Sequence, residues 1–207
     1  MNYLDVSEFE AHGLEPATPV AWVAAASSLI DAHCRRPTLA IAPYRERLRL
    51  ADGRNYTVRL SYLPLAVVAP ATSPVTALRG RYAVPRRGDE NQELAEEVAL
   101  TFALPGTWTA LDPNSVDFDC DTGELSFPPH PLGLAFSELE VSYNAGFAAF
   151  PEPVKFACAQ IVRNAQATPA LNVRASQMDR VHMQYFADTL LDQTVRKLLA
   201  PYVAQKL

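Results

Sequence analysis

The chain has 207 residues, of which 49% are hydrophobic, enough for one domain, or one domain with a small insertion, to bury a packed core. Its 18 basic and 23 acidic residues leave a net charge of −5, which argues against a general binder of the phosphate backbone. Three widely spaced cysteines, Cys34, Cys120 and Cys158, indicate neither a zinc site nor a disulfide framework. No apolar run approaches the roughly 20 residues that cross a bilayer, so we expect no membrane association and a cytoplasmic protein at synthesis.

The first forty residues predict two helices. Ser7 and Glu10 have the spacing of a capping box for a short helix that Gly13 would end. Thr18 is then expected to cap a longer helix that has Pro19 at its first position. Apolar and small residues share one face of this second helix, which we expect to be core or a subunit contact: Val23, Ala26, Ser27, Ile30 and Cys34.

From Arg45 to Tyr143 the pattern changes to the period of two that is typical of strands, interrupted by Pro and Gly. One hairpin is predicted around Asp52-Gly53, and a second around the turn at 121–123. Further strands are predicted at 75–82, 98–102 and 139–147, with an exposed charged loop at 84–97.

Helices resume after Pro151. The apolar residues of the next segment follow helical spacing as far as Thr168-Pro169: Val154, Ala157, Cys158, Ile161, Val162 and Ala165. An extended segment is predicted at 181–186, and a short terminal helix at 192–203 that Pro201 would end. The predicted fold is α+β: a helical body, made of an N-terminal helix pair, a long C-terminal helix and a short terminal helix, with an inserted antiparallel β subdomain. This divides one composite domain into 1–44, 45–143 and 144–207.

An acidic segment offers the sharpest candidate for metal chemistry. Asp117, Asp119 and Asp121 alternate as ligands of a calcium loop can, but Gly123 comes one residue late and Pro128 occupies the position of the final glutamate. We therefore expect these carboxylates to be solvent-facing strand residues. A hydrolase that uses Asp117, Asp119 and His130 is an alternative that no spacing supports.

A second candidate, the neighbouring pair His33 and Cys34, would diverge by about 100° on a helix and so cannot act as base and nucleophile. The sequence contains no phosphate-binding or nucleophile-elbow motif. We predict no catalytic, metal-binding or cofactor-binding residue, and no cofactor.

The sequence has one local basic cluster: Arg79, Arg81, Tyr82, Arg86 and Arg87. The acidic stretch that follows would oppose the several phosphate contacts that a nucleic-acid site needs. A solvated strand end and loop is the first interpretation, and a charged contact at a subunit interface is the second.

The order of these segments resembles that of the head-to-tail connector, or adaptor, proteins of tailed bacteriophages. Two sets of residues carry the resemblance: Tyr143, Gly146, Phe147, Pro151 and Pro153 at the turn from strand to helix, and Leu198, Leu199, Pro201 and Tyr202 near the end. It extends over roughly the whole chain, although each motif is short. The strand-rich region 45–143 is longer than in the compact helical members of that family.

The resemblance implies a non-enzymatic virion protein of the neck, present in the host cytoplasm during assembly. Its copies would form a ring, expected to be a dodecamer, between the portal and a downstream stopper or tail-tube protein. Double-stranded DNA would pass through without specific binding, since like charge keeps the polymer mobile in an acidic channel. The alternatives are another ring component, such as a stopper or tail terminator, a small α+β hydrolase, and a DNA-binding accessory protein.

A portal contact is predicted at the end of the chain. Pro201 would end the last helix, while Tyr202, Val203 and Leu207 stay apolar, as anchor residues of an interface are. We expect this segment to reach away from the body of the protein.

Overall fold

The computed structural model describes residues 1–50, 56–83, 93–128, 135–167, 175–178, 181–184 and 190–205. The helices are α1 (Val20–Cys34), α2 (Glu93–Thr101), α3 (Glu152–Ala167) and α4 (Gln193–Leu199). The strands are β1 (Ala42–Arg49), β2 (Thr57–Arg59), β3 (Val75–Tyr82), β4 (Trp108–Leu111), β5 (Asp117–Phe118), β6 (Glu124–Ser126), β7 (Phe136–Ala145), β8 (Ala175–Met178) and β9 (Val181–Gln184).

The strands form antiparallel sheets in the orders β1-β7-β3-β4 and β2-β6-β5, together with a β8-β9 pair. The chain divides into two compact units. Unit 1 comprises Met1–Leu39 and Ala148–Ala204, and unit 2 comprises Ala40–Phe147 and Gln205–Leu207. None of the helices described combines the length and the apolar character that crossing a bilayer requires.

The predicted helical body with an inserted β subdomain is wrong. The described residues form a mixed α+β structure in which seven strands make two antiparallel sheets and the four α-helices are short. The N-terminal helix pair is absent from the described residues, because Val6–Glu8 and Glu10–His12 are single 3-10 turns and α1 is the one α-helix before β1. Helix α2 lies among the strands, and β8 lies in the part expected to be helical, whereas β9 confirms the extended segment predicted at 181–186 over its described residues.

Unit 1 is organised around α1 and α3. The face of α1 singled out in the sequence is core, because Val23, Ile30 and Cys34 are completely buried. The Ser27 hydroxyl donates to the Val23 carbonyl at 2.8 Å. Tyr3 ties the N-terminal segment to α1, since its backbone N–H donates to Ser27 Oγ at 3.1 Å and its hydroxyl donates to the Asp31 carboxylate.

Local signals at the ends of the unit 1 helices are only partly as predicted. The capping box lies two residues earlier than expected, between Asp5 and Glu8, and Gly13 ends the second 3-10 turn in a left-handed conformation. Pro19 precedes α1 as its N-cap, so Thr18 does not cap it. The predicted helix after Pro151 is confirmed as α3.

Unit 2 has one hydrophobic core between its two larger sheets. Residues of β7 alternate, so that Leu139, Val141 and Tyr143 are fully buried while their neighbours point away from the core. Val58 of β2 and Leu125 of β6 belong to the same cluster of buried side chains. The small sheet therefore covers the buried face of the four-stranded sheet.

Two predicted elements of unit 2 are wrong. The strands expected to pair with each other around Asp52-Gly53 do not do so, because β1 pairs with β7 and β2 pairs with β6; Asp52-Gly53 lies outside the described residues. The strand expected at 98–102 is instead the end of α2. The preceding residues, ELAEE, are good helix formers and favour this helix. Ala103 follows it with a φ of 50°. The predicted strand at 75–82 and the hairpin of β5 and β6 are confirmed.

Gly146 ends β7 where two backbone segments approach closely. Its φ is +128°, and a Cβ built there would lie 2.3 Å from the carbonyl oxygen of Ala40. The Gly146 N–H donates to the Pro64 carbonyl at 2.9 Å, and Phe147 forms a parallel bridge with Ala40. Both the conformation and the space at this position therefore require glycine.

We expect Gly146→Ala to destabilise unit 2 by about 2–4 kcal/mol, because the energetic cost of backbone strain at this φ adds to the cost of displacing Ala40. Urea unfolding followed by Trp108 fluorescence, in a Trp22→Phe background, isolates the signal of this unit. Gly106→Ala is the matched control, since its φ is +79° but its Cβ would meet nothing closer than the Arg81 side chain at 3.6 Å. Equal losses in the two variants would contradict the close-approach argument.

Candidate functional site: an arginine-rich sheet face

Five arginines lie on the solvent side of the four-stranded sheet of unit 2. They alternate with inward-facing residues along two strands, which places all five on one side: Arg45, Arg47 and Arg49 of β1, and Arg79 and Arg81 of β3. We call this surface, together with Glu138, Glu140 and Trp108, the arginine face. Because β7 lies between β1 and β3, the two rows of arginine flank one row of glutamates.

Each glutamate of β7 pairs with an arginine from either side. Glu140 accepts hydrogen bonds from Arg45 Nη2 at 2.7 Å and Arg79 Nε at 2.9 Å. Glu138 accepts from Arg47 Nε and from Arg81 Nη1, both at 3.1 Å. Hydrogen bonds from Arg47 and Arg81 lower the pKa of Glu138, and those from Arg45 and Arg79 lower that of Glu140. The result is a cross-strand ionic network that fixes the guanidinium groups in place.

Trp108 of β4 lies within this network. The guanidinium carbon of Arg47 is 5.1 Å from the centre of the indole ring, and that of Arg79 is 6.0 Å from it. The glutamates are nearly covered, with side-chain exposures of 15% and 16%, whereas Arg45 is 61% exposed and Arg47 51%. The outermost layer of the face is therefore cationic and aromatic.

The basic cluster predicted from the sequence was incomplete. Arg79 is exposed and Arg81 is half-buried, and the three arginines of β1 that complete the face were not predicted. Their signal is the RERLR alternation at 45–49, which the predicted hairpin assigns to one of its strands. Arg86 and Arg87 lie outside the described residues. Tyr82 is 7% exposed and packs on Phe136 with ring centres 5.0 Å apart, so it is a core residue rather than a contact residue.

The predicted portal segment folds against unit 1 as far as it is described. A 3-10 turn at Ala200–Tyr202 follows α4. The Ala204 N–H donates to the Cys34 carbonyl at 2.9 Å, and Ala204 is buried. Tyr202 and Val203 are half-buried and Pro201 is exposed, so the segment does not extend away from the body up to that point. Leu207 lies outside the described residues.

The residues that carry the family resemblance have structural positions. Tyr143 is buried, and its hydroxyl donates to Glu46 at 2.6 Å while accepting from the Tyr62 N–H at 3.3 Å. The Pro151 carbonyl accepts from Val154 N at the start of α3. The others lie at the ends of elements or inside a helix: Gly146 and Phe147 after β7, Pro153 in the first turn of α3, and Leu198 and Leu199 in α4.

The acidic segment runs from the end of β5 into a turn. Asp119 Oδ1 accepts hydrogen bonds from the backbone N–H groups of Asp121 at 2.8 Å and Thr122 at 3.3 Å, and these bonds lower the pKa of its carboxyl. Asp117 and Asp121 are exposed. Across the described ranges no three His, Cys, Asp or Glu side chains group as metal ligands would. His130 of the alternative hydrolase lies outside those ranges.

Burial is the main cause of the largest pKa shifts among the other titratable groups. Burial raises the pKa of Cys34 and of Cys158 to about 11, so neither thiol is activated as a nucleophile. Burial, and to a lesser extent the hydrogen bond to Asp31, raises the pKa of Tyr3 to about 12. Burial, and to a lesser extent the hydrogen bond to Glu46, also raises the pKa of Tyr143. The Tyr3 hydroxyl joins the N-terminal segment to α1, and the Tyr143 hydroxyl joins β7 to β1.

Acidification should weaken the arginine face. Because its arginines lower the pKa values of Glu138 and Glu140 below the ordinary 4.5, the folded state holds these carboxylates ionised more strongly than the unfolded chain does. The stabilisation of the folded state by these two carboxylates is therefore fully present above pH 4.5, and it is lost as the pH falls through their folded-state pKa values.

We expect the combined variant Glu138→Gln and Glu140→Gln to lose less stability than the wild type on acidification. Unfolding free energies from Trp108 fluorescence, measured from about pH 7 down to about pH 3 in the Trp22→Phe background, would test this. Glu124→Gln, an exposed glutamate away from the face, should retain the wild-type pH dependence. Indistinguishable pH profiles for the double variant and the wild type would contradict the prediction.

No family model matches the chain, and no curated protein matches it. The resemblance to phage adaptors therefore stays a prediction, and any function has to be argued from the surfaces described above.

Proposed function

We propose that the chain is a structural, non-enzymatic subunit of a phage neck, a head-to-tail adaptor. Its copies assemble into a ring, expected to be a dodecamer, between the portal and the next neck or tail protein. Double-stranded DNA passes through this ring without being gripped by it. The observation that carries the proposal is the arginine face, whose exposed arginines and half-buried tryptophan are of the residue types enriched at protein interfaces.

The composition of that face fits a protein interface. Arginine and tryptophan are enriched in the energetically dominant parts of interfaces, where planar groups gain contact area at a low entropic cost. The ionic network holds Arg45, Arg47, Arg79 and Arg81 in fixed positions before any partner binds. A preorganised surface loses less conformational freedom on binding than a flexible one does.

Exposed apolar side chains supply further interface material in each unit. In unit 1 these include Trp22 of α1 and Phe156 of α3, which are 42% and 44% exposed. In unit 2, Leu100 and Phe102 at the end of α2 are 60% and 69% exposed. Single exposed apolar residues are ordinary, but large ones in both units favour a protein that buries additional surface on assembly.

Catalysis is less well supported than assembly. The groups with the most strongly shifted pKa values are buried tyrosines and cysteines with structural partners, and the alternating aspartates lie on an exposed turn. A catalytic site usually combines a shifted carboxylate or histidine with a cleft. The hydrolase alternative rests on no such combination in the described residues.

The native mass of the purified protein tests the proposal. It should be measured by light scattering for the protein alone and after mixing with the portal protein of the same genome. We expect a ring-sized species in one or both conditions, because a ring of portal sites raises the local concentration of weakly associating subunits. A protein that stays monomeric and does not bind the portal would contradict the adaptor function.

Truncation after Gln205 tests the predicted terminal contact. It removes Leu207 and leaves the hydrogen bond from Ala204 to Cys34 intact. We expect weaker portal binding, measured by co-sedimentation, with an unchanged melting temperature. Full binding by the truncated protein would exclude Leu207 from the portal contact and leave Tyr202 and Val203 to be tested by substitution.

A further inference from the structure

We propose that the arginine face of one copy of this chain binds the acidic hairpin of the next copy. The acidic hairpin is the exposed surface around β5 and β6, and its carboxylates are Asp112, Asp117, Asp119, Asp121 and Glu124. The inference rests on the proposed ring assembly and names the contact that would close the ring. Its partner is a second copy of the same chain, and its chemistry is arginine against carboxylate.

The two surfaces lie on opposite sides of one hydrophobic core. The arginine face is the outer side of the four-stranded sheet, whose inner side carries Leu139 and Val141. The acidic hairpin belongs to the small sheet, whose inner residues Val58 and Leu125 are part of the same core. Unit 2 therefore cannot place its own arginine face on its own hairpin, so the contact has to join two copies.

A contact between two different surfaces of identical chains is heterologous. Such contacts generate closed rings when the rotation between neighbours closes, and open filaments when it does not. An isologous dimer would bring the arginine face against itself, and the repulsion between like charges would oppose it. The charge distribution in unit 2 therefore favours the head-to-tail arrangement that a ring needs.

Charge complementarity identifies the occupant of the arginine face. The chain is acidic overall, with a net charge of −5, yet this face has five arginines against two glutamates. In the acidic hairpin the balance is reversed. Arg59 lies against it, and its Nε donates to the Thr122 carbonyl at 3.0 Å rather than to a carboxylate. Within the described ranges, Asp117, Asp121 and Glu124 form no ion pair.

The spacing of the two surfaces also matches. Arginines recur at every second residue of β1, and Asp117 and Asp119 are likewise two residues apart. Alternate residues of an extended strand are about 7 Å apart, so two such rows can meet residue by residue. Trp108, which is half-buried between Arg47 and Arg79, would supply an apolar anchor within the charged contact.

Duplex DNA fits this face less well than the hairpin does. DNA presents a continuous row of phosphates, and Glu138 and Glu140 run through the middle of the face. Both glutamates already engage arginines, which lowers the positive charge available to a uniformly anionic polymer. The separate carboxylates of a short hairpin can instead each meet an exposed arginine of β1 or β3, on either side of the row of glutamates.

Charge reversal on each surface tests the inference. The face variant combines Arg45→Glu with Arg49→Glu, so that Glu140 keeps Arg79 and Glu138 keeps Arg47 and Arg81. The hairpin variant combines Asp117→Lys with Asp121→Lys and leaves the turn-forming Asp119 intact. The charge-matched control for the face variant is Arg196→Glu with Lys197→Glu, on exposed positions of α4 in unit 1.

Self-association should be measured by sedimentation velocity, alone and with the portal protein, at low and high salt. Each variant alone is expected to associate at least about tenfold more weakly than the wild type. A one-to-one mixture of the two variants should recover association, because the glutamates introduced on the face of one variant then meet the lysines introduced on the hairpin of the other. The control should behave as the wild type, and circular dichroism should show that all the variants are folded.

Three results would overturn the inference, and they are distinguishable. Ring formation by the wild type that neither reversal weakens would reject this contact while leaving the adaptor function standing. A wild type that neither associates nor binds the portal would reject the adaptor function and the inference with it. Salt-sensitive duplex DNA binding that the face variant loses, with unchanged self-association, would identify the face as a phosphate-binding surface.

Discussion

Strand β7 is hydrogen-bonded along both of its edges, and its alternation divides unit 2 into a core and a charged surface. Leu139, Val141 and Tyr143 face the buried side, while Glu138 and Glu140 lie between the two arginine-bearing strands. A shift of one residue in the register would exchange the two sets and bury the carboxylates. The hydrophobic pattern of this strand therefore also fixes where the arginines can find partners.

The end of β7 is fixed as firmly as its middle. Gly146 allows the chain to pass against the Ala40 carbonyl, and its N–H binds the Pro64 carbonyl. Inside the sheet, Tyr143 joins Glu46 of β1 to the backbone of Tyr62. Strand β7 and the turn after it thus hold the architecture of unit 2 in place, and the arginine face that they support is the surface we propose as a contact.

Much of the local structure could be predicted from the sequence. Helix α3, strands β3 and β7 and the β5–β6 hairpin follow from periodicity and turn residues, because each signal lies within the element itself. The partner of β1 could not be predicted in this way. An Asp-Gly turn suggested β2, whereas pairing with β7 brings Arg45 and Arg47 to Glu140 and Glu138 across more than ninety residues of chain. The arginine face depends on that long-range pairing, so the sequence revealed only its β3 half.

We propose that the exposed arginines of unit 2 are a contact surface of an assembled ring. Side-chain footprinting by mass spectrometry, on the free protein and on the portal-bound assembly, tests it most directly. Arginine and carboxylate modification should fall on assembly at Arg45 and Arg49 and at Asp117 and Asp121, which are exposed in the single chain. Unchanged modification of these four residues in an assembly that protects other parts of the chain would contradict the account.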